Sequence, residues 1–391
     1  MKLQHRPKKH SIFFALLGVI LFAGVSCSHC PAEKCAAKTP DVKPLKIAYF
    51  VGEGGRGTGV IQLGRILSYL PGAKVTLLDG EDLRAGKLKG NDLLVIPGGS
   101  SATQYKTMQE SGAEAIRQFV ADGGTYFGVC AGFHCALNRP ERVRLLPYTW
   151  YFGGAQMRAT LMIEIPEKAA ERLDVPAGKY QVKYSRGPIS KRCEQPGTGW
   201  AEELAVYKNE MPWPKISFDG APAILFGEYG KGKVVATSFH PEAIPTTWPI
   251  ALGCIYAVTG RKLQPVLPAK DLNRVSVAYY TGGHAGKTWV AEALALDRQR
   301  DLDLVIPSSL TDGTLDHVQV VICSRNTKDA YSKFFPQPLV APLIKQFLDR
   351  GGKLLVSPEG MKSAPKHPNV IELKPDGCIV KAVRAAARSF R

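Results

Sequence analysis

A tight turn between a strand-like and a helix-like segment constrains this chain more than any other feature. The turn is Gly128-Val129-Cys130-Ala131-Gly132, which joins the apolar run Thr125–Val129 to a helix-like run at residues 133–138. A nucleophile elbow needs small residues around its nucleophile, because bulky neighbours would block so sharp a bend. The start of a helix also favours negative charge. The turn therefore predicts a reactive Cys130 thiolate, with a buried structural cysteine as the alternative.

A second turn can supply hydrogen-bond donors for a developing negative charge. Residues 93–100 have the pattern of a buried strand that ends in Pro97-Gly98-Gly99. Backbone N–H groups in such a turn can point at an oxyanion. We therefore predict an oxyanion hole formed by Gly98, Gly99 and Ala131.

A third segment supplies a base and a carboxylate. Residues 234–242 have the pattern of a strand that ends in His240-Pro241-Glu242. Proline favours an extended backbone at the preceding residue, and side chains two positions apart then project to the same side. We predict that Glu242 orients the imidazole of His240, and that both act with Cys130 as a catalytic triad.

These three turns, in this order and spacing, resemble the class I glutamine amidotransferase-like superfamily. Within it, the Cys130 turn, Tyr184-Ser185-Arg186-Gly187-Pro188 and residues 230–242 most resemble the N-terminal domain of biotin-protein ligases, which also occurs as stand-alone bacterial proteins. The resemblance covers about residues 45–262. It implies a flavodoxin-like doubly wound sheet and a Cys-His-Glu site. It also suggests that Tyr184 and Arg186 bind substrate at the mouth of the site, with a structural turn as the alternative.

The chain departs from true glutamine amidotransferases at one position. Those proteins carry glutamine four residues after the nucleophile and deliver ammonia to a synthase, whereas this chain has His134 there. The predicted activity is therefore hydrolysis of an amide, peptide or ester through a Cys130 thioester, without a cofactor and with free glutamine disfavoured. His134 is assigned to substrate binding, with a packed or surface histidine as the alternative. The second hypothesis is a non-catalytic envelope protein that binds a ligand or acts as a scaffold.

The N-terminus has the layout of a bacterial export signal. Basic residues precede an apolar run over residues 11–25, which is short for a membrane span. Ala23-Gly24-Val25-Ser26-Cys27 resembles a lipoprotein cleavage site. We predict a signal peptide over residues 1–26, a lipid anchor at Cys27 that contacts the membrane, and a tether over residues 27–44. The protein would then be anchored in the cell envelope, with a periplasmic or secreted form and an uncleaved anchor as alternatives.

The composition argues against several kinds of partner. The formal net charge is +17, but the basic residues are scattered and no nucleic-acid-binding signature accompanies them. The 9 cysteines include no two C-x-x-C motifs, so no metal site is predicted. The expected partner is a small-molecule or peptide amide, while the sequence leaves disulfides and the oligomeric state open.

The second half of the chain repeats the first. After a linker at residues 263–272, residues 273–380 are predicted to form a degenerate second amidotransferase-like domain, because Pro358 or a neighbour such as Ser357 or Glu359 stands in place of Cys130 and no His-Pro-Glu follows. A basic tail at residues 381–391 completes the chain. The predicted fold class is α/β, with flavodoxin-like doubly wound sheets in two tandem copies. The matching segments are residues 46–55 and 274–283, residues 91–98 and 316–323, and residues 119–128 and 347–356.

Two glycine-rich segments make nucleotide binding a rival interpretation. Gly52-Glu53-Gly54-Gly55-Arg56-Gly57 follows a strand pattern and precedes Asp79, which matches the dinucleotide-binding fingerprint. Thr281-Gly282-Gly283-His284-Ala285-Gly286-Lys287-Thr288 is similar to a phosphate loop, but Thr281 replaces the required first glycine. Both segments are interpreted instead as the first loops of the two sheets.

Overall fold

The computed structural model describes most of the chain from Lys43 onward, and all of these residues belong to one compact unit. The predicted signal peptide, the predicted lipid anchor at Cys27 and the tether up to residue 42 lie outside the described residues. So does most of the glycine-rich segment that begins at Thr281. The described residues are 43–152, 158–193, 199–208, 218–280, 286–307, 310, 313–323, 334–374 and 377–390.

A nine-stranded sheet and its helices form the first half of the described chain, which we call the first copy. Its strands are β1 (Leu45–Phe50), β2 (Ala73–Leu78), β3 (Leu93–Ile96), β4 (Thr125–Val129), β6 (Arg158–Ile165), β7 (Gly178–Ser185), β9 (Ala201–Tyr207), β10 (Pro222–Tyr229) and β11 (Gly232–Thr237). Strands β2-β1-β3-β4-β11 are parallel, in that order, and β10-β9-β6-β7 continue the sheet in antiparallel fashion. Separately, β5 (Tyr148–Phe152) pairs with β8 (Ile189–Arg192).

Helices cover the parallel part of this sheet, which explains why a central strand such as β3 is buried along its whole length. They are α1 (Thr58–Ser68), α2 (Gly80–Arg84), α3 (Ser101–Ala121), α4 (Ala131–Ala136) and α6 (Trp248–Thr259), while α5 (Glu167–Leu173) packs against α6 and against β9 of the antiparallel part. Helix α3 is the longest of these helices, with 21 residues. It begins at Ser101 because the Ser100 side chain caps it by accepting from Thr103 N–H, and it is kinked at Gln109, where φ is 58°.

A five-stranded parallel sheet and its helices form the second copy. Its elements are β12 (Val275–Tyr280), α7 (Lys287–Asp297), β13 (Leu302–Val305), β14 (Val320–Cys323), α8 (Ala341–Asp349), β15 (Lys353–Val356), α9 (Pro358–Met361), β16 (Val370–Glu372) and α10 (Ile379–Ala386). The strand order β13-β12-β14-β15-β16 repeats the order β2-β1-β3-β4-β11. The predicted α/β fold class is therefore confirmed, and the predicted domain boundaries stay a prediction.

The two copies pack through equivalent helices. Helix α1 of the first copy lies against α7 of the second, and a Cβ added to Gly64 would be 3.5 Å from Leu294. The Arg65 Nε donates to Asp297 Oδ2 at 3.0 Å, and the Tyr69 hydroxyl donates to the same carboxylate. Apolar residues of both copies belong to one buried cluster, so the copies share a continuous core.

The end of the chain, predicted as a basic tail at residues 381–391, is helical over much of its described length. Helix α10 begins before that segment and packs against α7, with Ile379 and Val383 buried. Arg384 on its outer side pairs with Asp301 at 2.9 Å. Its apolar face therefore holds the helix on the second copy. None of the described helices has the length and apolar character needed to cross a membrane.

Candidate active site

Cys130 lies at the sharp turn between β4 and α4, as the sequence predicted. Its backbone has φ 52° and ψ −95°, a conformation that side-chain-bearing residues rarely adopt and that costs about 1–3 kcal/mol. The turn depends on its small neighbours, because a Cβ on Gly132 would overlap the carbonyl oxygen of Ile96. The Cys130 side chain is nearly buried, and its Sγ lies 3.6 Å from the Ser185 carbonyl oxygen.

The sheet brings His240 to Cys130. Strand β11 pairs in parallel with β4, so that Thr237 lies beside Val129 and both strands end at the same edge of the sheet. The Cys130 N–H donates to the Thr237 carbonyl at 2.8 Å, and the His240 N–H donates to the Lys183 carbonyl at 2.8 Å. In this position the imidazole is close enough to Cys130 for the sulfur to influence its charge.

Glu242 holds the other side of the imidazole. Its Oε1 lies 2.8 Å from His240 Nδ1, and the carboxylate is only 1% exposed. Two hydrogen bonds hold the backbone of Pro241 and Glu242. Trp248 Nε1 donates to the Glu242 carbonyl at 3.1 Å, and Thr247 Oγ1 donates to the Pro241 carbonyl at 2.7 Å. Glu242 thus lies beside the imidazole as expected, but the backbone is extended only at His240: residues 240–243 form a turn in which Ala243 N–H donates to the His240 carbonyl at 3.2 Å.

Electrostatics favours a charged imidazole. Burial opposes the charge of His240, but attraction to Glu242 and Cys130 outweighs burial and raises the pKa of His240 well above its ordinary value. The imidazole can therefore hold a proton taken from the Cys130 thiol. The three predicted catalytic residues meet in one cluster, while their roles in a reaction stay a prediction.

The predicted oxyanion donors lie around the same cluster. A Cβ on Gly98 would be 2.5 Å from His240 Cε1 and 3.5 Å from Cys130 Cβ. Gly99 is held by the neighbouring loop, in which Ser100 N–H donates to the Gly54 carbonyl at 2.7 Å. Within the described structure, the N–H groups of Gly98, Gly99 and Ala131 donate to no other backbone oxygen. They remain available to an oxyanion.

Tyr184 and Arg186 occupy different environments. Tyr184 is fully buried, its ring packs against Phe218 at 5.1 Å, and its hydroxyl donates to the Gly187 carbonyl at 2.7 Å. These contacts fit the structural turn rather than direct substrate binding, because the side chain has no exposed surface. Arg186 is exposed, has φ 58°, and follows Ser185, whose carbonyl faces Cys130. It therefore lies beside the site as expected.

His134 lies one helical turn after Cys130, and its N–H donates to the Cys130 carbonyl at 3.0 Å. Its ring packs edge-on against Trp150, with the ring centroids 5.8 Å apart. Burial, with help from Arg142 and Arg139, lowers the pKa of His134 to about 4. The side chain is therefore a neutral imidazole at pH 7.

Several residues of the site escaped the sequence analysis. A Cβ on Gly59 would be 2.5 Å from Glu242 Oε1, so the second residue of α1 must be small for the carboxylate to fit. This glycine follows the segment that resembled a dinucleotide fingerprint, and that glycine-rich pattern was the available signal. Asp79, the acidic residue of the same fingerprint, instead caps α2 and pairs with Lys287 at 3.2 Å. Trp248 and Ser185 gave no local signal.

Metal ligation has no obvious place in this arrangement. Across the part of the chain that the structure describes, no three His, Cys, Asp or Glu side chains converge as metal ligands would.

Comparisons with known proteins agree with the geometry. Residues 87–141 match the family described as "Biotin-protein ligase, N terminal". The pyridoxal 5'-phosphate synthase subunit PdxT of Koribacter versatilis is 30% identical over 161 residues, which are 38% of this chain and 67% of that protein. A PdxT subunit of Thermus thermophilus is 30% identical over 173 residues, which are 42% of this chain and 78% of that protein. A glutamine amidotransferase of known crystal structure is 25% identical and covers 49% of this chain and 87% of its own, with a TM-score of 0.34.

The fold and the Cys-His-Glu cluster describe a protein of the glutamine amidotransferase type. The chain is 30% identical to a PdxT subunit over 67% of that subunit, and it therefore belongs to the class I glutamine amidotransferase-like family. Residues 87–141 also match the biotin-protein ligase N-terminal family. The predicted resemblance is confirmed.

Proposed function

We propose that the protein is a cysteine-dependent amidase that hydrolyses an amide, peptide or ester bond other than that of free glutamine. The observation that carries the proposal is the grouping of Cys130, His240 and Glu242 at the carboxyl edge of the parallel strands, with His240 Nδ1 2.8 Å from Glu242 Oε1. A nucleophile, a base and an orienting carboxylate in this order are the parts that thiol acyl transfer requires. His134, at the position where true glutamine amidotransferases carry glutamine, supports a different substrate.

In the proposed reaction the Cys130 sulfur attacks the carbonyl carbon of the amide. His240 holds the thiol proton and transfers it to the leaving nitrogen as the C–N bond breaks and a thioester forms. The N–H groups of Gly98, Gly99 and Ala131 stabilise the negative oxygen of the intermediate. A water molecule, deprotonated by His240, then attacks the thioester, which releases the acid and restores the thiol.

The test is alkylation of the thiols by iodoacetamide between pH 5.5 and 9, read cysteine by cysteine by mass spectrometry. Cys193, which is partly exposed in the same fold, serves as the internal reference. We expect Cys130 to react about tenfold faster than Cys193 at pH 6, because the neighbouring imidazolium stabilises the thiolate. His240→Ala should remove this advantage, whereas His317→Ala, which changes an exposed histidine of the second copy, should preserve it.

An unchanged Cys130 rate in His240→Ala would contradict the proposal. The alternative of a non-catalytic envelope protein that binds a ligand in the same cleft would then become the preferred hypothesis. Hydrolysis of a peptide or small-molecule amide library by the wild-type protein, and its loss in Cys130→Ala, would complete the positive case.

Export and a lipid anchor at Cys27 form a second part of the proposal. The supporting observation is the sequence of residues 1–27, with its basic start, apolar run and small residues before the cysteine. Metabolic labelling with a radioactive fatty acid should mark the wild-type protein and Cys30→Ser but not Cys27→Ser. Equal labelling of Cys27→Ser would overturn the assignment of this cysteine.

A further inference from the structure

The linker between the two copies exposes a concentration of aliphatic surface. Seven large apolar side chains are exposed in the part of the chain that the structure describes, and three of them lie in this linker. They are Val266, Leu267 and Leu272, which are 69%, 51% and 96% exposed. Exposed apolar residues on a soluble protein are normally scattered singly, whereas a group of them marks a contact surface. The linker is therefore a candidate contact surface.

The linker is held against the C-terminal ends of two helices. The Val266 N–H donates to the carbonyl of Tyr69, directly after α1, at 2.9 Å. Lys270 Nζ donates to the carbonyls of Gln299, just after α7, and of Leu302, at the start of β13, both at 2.9 Å. Because a helix that follows a parallel strand returns to the amino edge of the sheet, these contacts place the linker at the amino edges of both sheets. The candidate active site lies at the opposite, carboxyl edge.

The described chain begins at the same edge. Arg261, just before the linker, donates from Nη1 to the carbonyl of Lys43 at 2.6 Å. Arg261 also lines a cavity together with Leu45 and Thr125, the first residues of β1 and β4. Lys43 directly follows the predicted tether in the sequence, so the tether is attached to the fold at this edge.

Basic side chains surround the aliphatic ones. Residues 261–274 contain four basic residues and one acidic residue, which gives a net charge of +3. Lys262 and Arg274 pair with aspartates, yet 65% and 39% of their side chains remain exposed. Lys43, and Arg298 directly after α7, add exposed positive charge at the same edge. An anionic lipid surface is complementary to this combination, because its head groups attract the cations and its acyl region accepts aliphatic side chains.

We propose that these residues form a membrane-contact surface, which we call the amino-edge surface and define as Lys43, residues 261–274 and Arg298. Its cations bind anionic lipid head groups, while Leu267 and Leu272 enter the layer beneath them. The contact needs no acyl chain, so it goes beyond the lipid anchor proposed above. A second copy of this chain fits the surface less well, because a two-fold contact would bring like charges together. On a membrane, the candidate active site would then face the solution.

The test measures how the protein binds to vesicles without its predicted anchor. It uses residues 28–391, which lack the apolar run and Cys27 but keep the whole compact unit that begins at Lys43. Vesicles of phosphatidylglycerol and phosphatidylethanolamine are compared with vesicles of phosphatidylcholine in a sedimentation assay. We expect binding to the anionic vesicles to be at least about tenfold tighter at low salt, and high salt should remove most of the difference.

Leu272→Ser tests the aliphatic part of the surface. Its matched control is Leu339→Ser, because Leu339 is 83% exposed but lies just before α8, at the carboxyl edge of the second sheet. Both side chains are exposed, so neither change should disturb the fold. Leu272→Ser should weaken binding to anionic vesicles about tenfold, since the transfer of one leucine side chain out of water is lost. Leu339→Ser should leave the binding unchanged.

Arg298→Gln tests the charge of the surface. The control is Lys362→Gln, because Lys362 is exposed and follows α9 at the carboxyl edge of the second sheet. Arg298→Gln should weaken binding to anionic vesicles about fivefold at low salt and leave binding to phosphatidylcholine unaltered. Lys362→Gln should change neither.

Three outcomes would overturn the proposal. One is a wild-type chain that fails to bind anionic vesicles more tightly than neutral ones, and another is an equal loss in each variant and its control. The third is self-association without vesicles that Leu272→Ser abolishes, which would assign the surface to a second copy of this chain. Neither Cys27 nor Cys130 takes part in the assay, so its failure and the failure of the proposed function are separate results.

Hydrogen exchange provides a measurement that needs no substitution. Anionic vesicles should slow amide exchange in peptides from residues 263–274 and leave peptides from residues 334–345 unchanged. Slower exchange in the second segment alone, or in neither segment, would refute the amino-edge surface.

Discussion

The carboxyl edges of the two sheets show how one scaffold can carry a reactive site or a purely structural turn. After β4 the first copy places Cys130 in a left-handed conformation, with φ 52°. After β15 the second copy places Ser357 in an extended conformation, with φ −62° and ψ 158°, followed by Pro358 at the start of α9. Ser357 is buried and caps that helix by accepting from Gly360 N–H at 3.3 Å. The strand order is shared, and the difference lies in the residues that follow the strands.

The neighbouring strand differs in the same way. In the first copy, β11 lies beside β4 and leads into His240. In the second copy, β16 lies beside β15 and leads into Leu373, while His367 precedes the strand and accepts from Asn369 N–H. The sequence has no histidine after β16 that could correspond to His240. The comparison shows that the same strand order is not enough for a reactive site. The site also needs a nucleophile after β4 and a base after β11.

The first prediction tests whether the two copies fold as one unit. Asp297 of α7 is buried and accepts hydrogen bonds from both Arg65 and Tyr69 of the first copy. Asp297→Asn should lower the free energy of unfolding by about 3 kcal/mol in a urea titration, because it leaves the partly buried Arg65 without a counter-charge. Asp349→Asn breaks an exposed pair with Lys345 and should cost less than about 1 kcal/mol. Separate unfolding transitions in the wild-type protein would show that the copies are independent.

The second prediction contrasts His134 with its counterpart in the second copy, the exposed Lys362. An unfolded histidine has a pKa of about 6.5, whereas that of folded His134 is about 4, so the unfolded state binds more protons between these values. Stability is therefore lost as the pH falls from 6.5 to 4. His134→Gln should recover about 2 kcal/mol at pH 4.5 relative to its effect at pH 7.5, as measured by urea unfolding. His367→Gln is the control, and an equal recovery there would contradict the assignment to His134.

The third prediction concerns the beginning of the first helix in each copy. Gly59 of α1 faces Glu242, and the equivalent position of α7 is the exposed Thr288. Gly59→Ala would push its Cβ against the carboxylate and tilt the imidazole, so Cys130 alkylation at pH 6 should slow about tenfold. Thr288→Ala should leave that rate unaltered. A full rate in Gly59→Ala would mean that Glu242 does not position His240.

The smallest effect is expected at the carboxyl edge of the second sheet, at Ser357. Ser357→Ala removes the cap of α9 and should lower the free energy of unfolding by about 1 kcal/mol, without any change in the reactivity of Cys130. A thermal melt combined with the iodoacetamide assay checks both statements. A change in the Cys130 rate would indicate that the second edge influences the first.

The sequence predicted the parts of the site that depend on local pattern. Gly-x-Cys-x-Gly and His-Pro-Glu define their own turns, and the parallel order of the strands brings those turns to one edge. The sequence could not reveal that Trp248 and the Ser185 carbonyl belong to the site, because their contacts with Glu242 and Cys130 depend on how the chain packs. Nor did any motif mark the kink at Gln109 in α3. The sequence also left two alternatives open for Tyr184, because its motif does not distinguish a buried ring from an exposed one.

The packing of α1 on α7 gives the molecule a property of a two-fold dimer within a single chain. Each copy presents to the other its first helix, as subunits do when like surfaces meet. In a true dimer such a contact weakens on dilution, but here the linker keeps the two surfaces at a high effective concentration. The second copy therefore remains in contact with the first at any protein concentration, even in a single isolated molecule.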